Sequence, residues 1–479
     1  MLKKYMVAVL MGATVLSVSS CDDLLDTAPK QSISLETGLE NITGIRALLI
    51  GVYDRMQVNT YYGAQMMLAP DVMADNLRQT SSNSNRYTGF QSNTFGTQLN
   101  RWAGNYGAIN DVNLILGALG NITDPAVTAA EKARIGAEAK FLRALFYHDL
   151  LRTYSYEPGK EVGGFNAGVV LRLEPVDTKD EADFMARATN VQVYAQIEKD
   201  LTEAIAGFTT SNQTSWYRAN KAAAEALMAR VSLYQSKWQQ ALDYSNTAIA
   251  TAAARGKGLV AAANYAAAWT TLPNPESLFE LNYVQATETL GANESLNSLT
   301  TNVFTGAWAD IVPTNTLFNL YEVNDVRRAM YYTATKSGEA VRFNRKFAGN
   351  QGVFTDNIPL IRLSEVHLIK AEAEAELAAG DEVSVAGLAT LNGLRAKRDA
   401  SPVVALTKTA LINAILVERR MELVYEGHRF FDLKRRGLDI AKDPQVAAAA
   451  IPYTDPRVLA PIPADQVALN PKLVKNPGY

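Results

Sequence analysis

Apolar residues recur at three- and four-residue steps along much of this chain, the 3.6-residue period of helices that bury one stripe. Ile42, Ile45, Leu49, Val52, Tyr53 and Met56 form the first such stripe. The period returns at about 98–118 (Trp102, Tyr106, Ile109, Val112, Leu116), at 126–153, and from about Val191 to Phe208. Between Ala219 and Ala253 it predicts a helix pair. Leu227, Met228, Val231 and Tyr234 precede a break at Ser236-Lys237, and Trp238, Ala241, Leu242, Tyr244 and Ala248 follow it. Ala229, Ala241 and Ala248 fall where tetratricopeptide repeats place small residues so that two antiparallel helices approach closely. A further pair is expected at roughly 363–380 and 384–398. About three such units are visible, all degenerate; a generic helical bundle is the plainer alternative.

Elsewhere the period is lost. Residues 59–97 carry Ser81-Ser82-Asn83-Ser84-Asn85 among Tyr61, Tyr62, Tyr87, Phe90 and Phe95, which predicts a long surface loop. A Gly-rich insertion lies near 159–168. Residues 256–360 mix proline, glycine and aromatics, among them Tyr265, Trp269, Phe279, Tyr283, Phe304 and Trp308. The last 29 residues hold six prolines and should wrap the body as an extended tail. The expected fold is mostly α, paired helices with long irregular insertions.

The first residues set the compartment. Lys3 and Lys4, an uncharged run from Met6 to Val18 and the small residues Ser19-Ser20 read as a signal peptide over 1–20, too short to span a bilayer. Cys21, the only cysteine, follows directly, where a lipoprotein signal would be cut and acylated. A lone thiol makes no intramolecular disulfide, so the oxidising compartment is not used for cross-links. Residues 21–34 would be a lipidated tether and 35–479 one globular domain, since no Gly/Ser- or Pro-rich linker divides it. Without residues 1–20 the net charge is near −5, which argues against nucleic acid as a partner.

Little in the chain promises catalysis or a cofactor. His148, His367 and His428 are scattered without metal-ligand spacing, and no HExxH, nucleophile elbow or phosphate loop occurs. The segment Glu418 to Leu433 is the most unusual. Arg419, Glu422 and Glu426 fall on the same helix side as Ile412, Ile415, Leu416 and Leu423, with Gly427 expected to end that helix. Charges on an apolar stripe must be paired if buried. One reading makes Glu422 or Glu426 the general acid of a glycoside hydrolase; the other makes them part of an Arg/Glu network that docks the helix.

Glu418-Arg-Arg-Met-Glu-Leu-Val-Tyr-Glu-Gly-His-Arg-Phe-Phe-Asp-Leu-Lys434-Arg-Arg-Gly437 resembles the C-terminal signature of the SusD/RagB family. Glu138 to Asp149, Arg362 to Ala373, Leu391-Asn-Gly-Leu-Arg395, Pro461-Ile-Pro463 and the closing Asn476-Pro-Gly-Tyr479 fit it as well, in the family's order. The loose Val18-Ser-Ser before Cys21 resembles the lipobox of Bacteroidetes lipoproteins, and Asp22-Asp23 would suit export to the outer face.

The resemblance implies a right-handed superhelical scaffold of four tetratricopeptide-like units under a loop-rich ligand face, at about 59–97 and 256–360 here. It implies an outer-membrane lipoprotein that binds without transforming, acting as lid of a SusC-like TonB-dependent transporter and delivering oligosaccharide or, in some branches, peptide. Trp102 and Asn105 match positions that can contribute to the family's glycan face; Trp102 has a second reading as a core residue at a helix–loop junction. Sugar C–H faces need flat aromatic rings, with amides and arginines for the hydroxyls, so Trp308, Tyr62, Arg86 and Tyr87 are further candidates. A structural lipoprotein without soluble ligand stays open, as does metal binding.

Overall fold

The computed structural model describes residues 38–176, 184–209, 213 and 215–479. The expected signal peptide, Cys21 and the tether lie outside the described residues. The longer helices are α1 Ile42–Asp54, α2 Gln65–Val72, α3 Trp102–Leu119, α4 Ala129–Tyr154, α5 Asn190–Gly207 and α6 Lys221–Tyr234. They continue with α7 Trp238–Ala254, α8 Leu363–Glu376, α9 Val385–Ala396, α10 Lys408–Glu422 and α11 Arg429–Arg435.

Their starts are written in capping residues. Thr128, Asn220, Ser384 and Thr407 each accept a backbone N–H in the first turn of α4, α6, α9 and α10. Thr189 and Gln192 form a reciprocal capping box on α5. The helices pair as α1 with α3, α4 with α5, α6 with α7 and α8 with α9, and α3, α5 and α7 also pack on α4, α6 and α8. The result is a tetratricopeptide-like stack. Small residues set the spacing: Ala229, Ala241 and Ala373 share one buried cluster with Leu233 and Ile369, joining α6, α7 and α8. A Cβ on Gly207 would sit 2.9 Å from the Ala137 Cβ, so α5 meets α4 almost backbone to backbone.

The aperiodic stretches hold three antiparallel strand pairs: β1 Leu77–Gln79 with β3 Ile311–Pro313, β2 Ser277–Leu281 with β6 Ile358–Arg362, and β4 Tyr331–Lys336 with β5 Glu339–Asn344. In the first pair Leu77 faces Pro313 and Gln79 faces Ile311, which ties two stretches more than 200 residues apart. The β2–β6 pair sits at the root of the long insertion between α7 and α8. That insertion leaves the stack and returns to it, and α7 still packs directly on α8.

Two expectations change. The first half of 59–97 is core, not surface loop: α2 buries every residue from Met66 to Val72. A helix buried on all sides, Asp71 included, shows no apolar stripe, so periodicity missed it. Helix α10 ends at Glu422, not at Gly427. Gly427 does hold a left-handed φ of +77°, but in the following loop, where a Cβ would lie 2.0 Å from the Met66 carbonyl oxygen. Gly427→Ala is therefore expected to cost roughly 2 kcal/mol or more, from backbone strain plus a clash with main chain. A chemical-denaturation midpoint equal to wild type would refute it.

Candidate functional site

Trp308 is the large aromatic left open to solvent on the insertion, 37 % exposed and fixed on every side. Its indole N–H donates to the Asn293 side-chain oxygen at 2.9 Å, and its backbone N–H to the Ser298 hydroxyl at 3.0 Å. The Arg86 guanidinium lies 4.8 Å from the centre of its ring and donates to the Asn293 carbonyl. Arg86 reaches this place because the 80–86 loop is sewn to the insertion. Ser84 N–H donates to Asp310 at 3.0 Å, and Lys336, at the end of β4, donates to Asp310, Thr80 and the Trp308 carbonyl. Elsewhere on the insertion Val284, Val303 and Val353 are about half exposed, and Phe304 meets Phe354 edge-on at 5.8 Å. A flat ring over a third exposed, with a cation over it and a primary amide at its N–H edge, can stack on a sugar face and bond its hydroxyls.

The structure thus joins two of the sequence-derived candidates, Arg86 and Trp308. The others are core residues. Trp102 is 3 % exposed, with its ring perpendicular to that of Tyr154 at 5.2 Å, so no sugar can lie on it in this conformation. Asn105 is fully buried; its amide reaches the Phe146 carbonyl and its oxygen accepts from Arg101. Tyr62 donates to Asp149 at 2.7 Å inside the molecule. Tyr87 is buried against Phe90 at 5.5 Å, its hydroxyl without a partner among the described residues. Asn293, which orients the indole, was not singled out in the sequence. Nothing in its local pattern marks it, because its role exists only once the loops meet.

Two stretches match known families: residues 23–233 the one described as "Starch-binding associating with outer membrane", and residues 343–479 the SusD family. Together these take in well over half of the chain. The chain belongs to the SusD/RagB family. A SusD-like protein P2 of Formosa agariphila is 24 % identical over the whole of both chains. A SusD superfamily structure from Bacteroides vulgatus superposes with a TM-score of 0.80 at 28 % identity, over 92 % of this chain and 99 % of the other. A structure described as a laminarin-binding SusD-like protein superposes with a TM-score of 0.69 at 23 % identity, over 92 % and 100 %.

The SusD/RagB signature around Glu422 is a buried ion network. Glu422 contacts Arg327 at 3.0 Å, Arg398 at 2.9 Å and Arg362 at 3.3 Å; Glu276 is shared by Arg362 and Arg398. Glu418 pairs with Arg327 and Arg395, each at 2.6 Å, and Glu426 with Arg362 and Lys346 at 2.7 and 2.9 Å. Burial alone would raise the Glu422 carboxyl, yet Arg398, Arg362 and Arg327 hold it well below the ordinary carboxylate range, and Glu426 is lowered likewise. A general acid must carry its proton near neutral pH. This pair does not, and Glu422 has no surface a substrate could reach. SusD/RagB proteins bind rather than catalyse, and these carboxylates here hold the fold. Among the described residues no group of three or more metal-ligating side chains is placed to hold an ion, and no helix is long and apolar enough to cross a membrane.

The network has a pH signature. Burial would raise Glu365, but Arg230, hydrogen-bonded to both its oxygens, outweighs this and brings it down to about 2. Its folded-state value lies below the unfolded one, so its contribution is present above about pH 4.3 and disappears as pH falls toward 2. Asp71 and Asp356 move the other way, pushed up to about 7 by burial. Between about pH 7 and 4 they add stability as pH falls, and only below about pH 3 are both protonated folded and unfolded and without slope. Denaturant midpoints should therefore drop steeply between pH 4 and 2, and the drop should be shallower in an Arg230→Met variant. A flat profile would contradict the assignment.

Proposed function

We propose that this chain captures glycan on the surface built around Trp308, Arg86 and Asn293, without cleaving it. In the same reading it is an outward-facing outer-membrane lipoprotein acting as lid of a SusC-like TonB-dependent transporter. The observation that carries the glycan reading is the exposed indole held rigid by Asn293, Ser298 and Arg86. A pre-ordered ring loses little entropy on binding. The laminarin-binding neighbour and the starch-binding description of the family point to the same ligand class. The proposed division is a signal peptide over 1–20, a lipidated tether over 21–34, and a binding domain over 35–479 with its ligand face in 59–97 and 256–360.

Affinity electrophoresis tests it. Purified protein should be retarded by at least one polysaccharide while the polymer's chain length stays constant; release of reducing ends would overturn the reading. The anchor has its own test. Acyl chains contribute roughly 0.8 kcal/mol per buried CH₂, so Cys21→Ala should move the protein from the membrane to the soluble fraction. Full retention of that variant on membranes would refute lipidation at Cys21.

A further inference from the structure

Beyond Trp308, the β4–β5 hairpin carries a second feature. The guanidinium of Arg342, on β5, lies 4.0 Å from the ring centre of Phe318, and that of Arg328 lies 4.3 Å from the same ring. Two like charges are thus held over one phenyl group, which Tyr331 fixes edge-on at 5.7 Å. Most arginines of this net-acidic chain end on a carboxylate; these two have none within ion-pair reach among the described residues. Asp325, the acid nearest in sequence to Arg328, is taken by Arg327 at 2.7 Å. Arg342 gives one N–H to the Asn315 side-chain oxygen at 2.7 Å, and Arg328 one to the Tyr321 carbonyl at 2.8 Å. Among the described residues the remaining guanidinium N–H groups have no protein acceptor. Burial and then the charge of Arg328 push Arg342 below its ordinary value, so the pair is electrostatically uncompensated as it stands.

Guanidinium groups favour planar, bidentate acceptors such as carboxylate and oxyanion esters, and a ring beneath them keeps the fork oriented. We propose that Arg328 and Arg342, with Asn315 beside them, form an anion subsite for the carboxylate or sulfate ester of an acidic polysaccharide. This rests on the glycan-capture reading and narrows it to charged polymers. The arginine pair and the Trp308 anchor lie on opposite faces of the hairpin: Lys336, which holds the Trp308 carbonyl, pairs with Glu339, and Arg342 alternates with that face.

The test uses the mature full-length chain in affinity electrophoresis against polygalacturonate, carrageenan and laminarin, which offer carboxylate, sulfate ester and no charge. Arg328→Gln/Arg342→Gln is compared with Arg46→Gln/Arg55→Gln, which removes two charges from exposed ion pairs on α1; melting curves of both variants verify folding. We expect one acidic polymer to bind best, with affinity falling at least tenfold in the first variant, staying unchanged in the second and weakening with salt. Preference for polygalacturonate assigns a carboxylate ligand and preference for carrageenan a sulfate. Equal binding by both double variants, or retention of laminarin alone, would overturn the subsite while leaving glycan capture intact. Failure of the wild type to retain any polysaccharide would sink the capture reading, and this one with it.

Discussion

Replacing Glu422 with glutamine is expected to cost roughly 3–5 kcal/mol, the effect of breaking a buried ion pair from one side. Three guanidinium groups, those of Arg327, Arg362 and Arg398, converge on this carboxylate, and all are buried. The amide keeps the shape but withdraws the charge, and Glu276, Glu418 and Asp325 are already committed to the same arginines. The loss should appear in urea unfolding as a lower midpoint with an unchanged slope. A Glu422→Gln variant as stable as wild type would mean that the remaining acids suffice. Retention of glycan binding by whatever fraction folds would further separate this residue from the ligand surface.

The second large effect is expected at Trp308. Truncating a well-packed interfacial tryptophan typically costs 2 kcal/mol or more, about 30-fold in affinity. Trp308→Ala should therefore abolish retardation in an affinity gel without lowering the melting temperature appreciably, because the ring is over a third exposed and packs mainly on Arg86. Trp102→Ala should do the reverse. Buried against Tyr154 and Tyr106, it is expected to destabilise by roughly 3–5 kcal/mol. If Trp308→Ala bound glycan as well as wild type, the platform around Asn293 would not be the capture surface.

The stack was legible because its signals are local. Stripes, caps such as Thr128 and Asn220, and small residues such as Ala229 and Ala241 each mark an element within a few positions. The Arg/Glu reading of the Glu418–Glu426 segment was legible for the same reason: charges on an apolar stripe leave few physical options. What escaped is what depends on meeting across the chain. Helix α2 hid because it is buried on all sides. Tyr62 and Tyr87 were expected on a ligand face because aromatics in an aperiodic stretch look alike whether they face a sugar or a neighbouring ring, and Trp102 because it matches a position of the family's glycan face, although a core place at a helix–loop junction fits it equally. Only the β1–β3 pairing and the Asp310–Ser84 contact decide that Arg86 reaches Trp308 while Tyr87, one residue on, turns inward.

The direct contact of α7 with α8 across the long insertion has a consequence for diversification. Closing a longer loop costs only about 0.6 kcal/mol per doubling of its length, and the β2–β6 pair clamps the two ends of residues 282–357 before they diverge. The segment is nonetheless bolted to the body: Arg327 reaches Glu418 and Glu422, Lys346 reaches Glu426, and β3 pairs with β1. Exchanging it between relatives should therefore preserve melting behaviour only where counterparts of Arg327, Lys346 and β3 are kept, so the insertion is free to vary in its outer turns but not at these anchors.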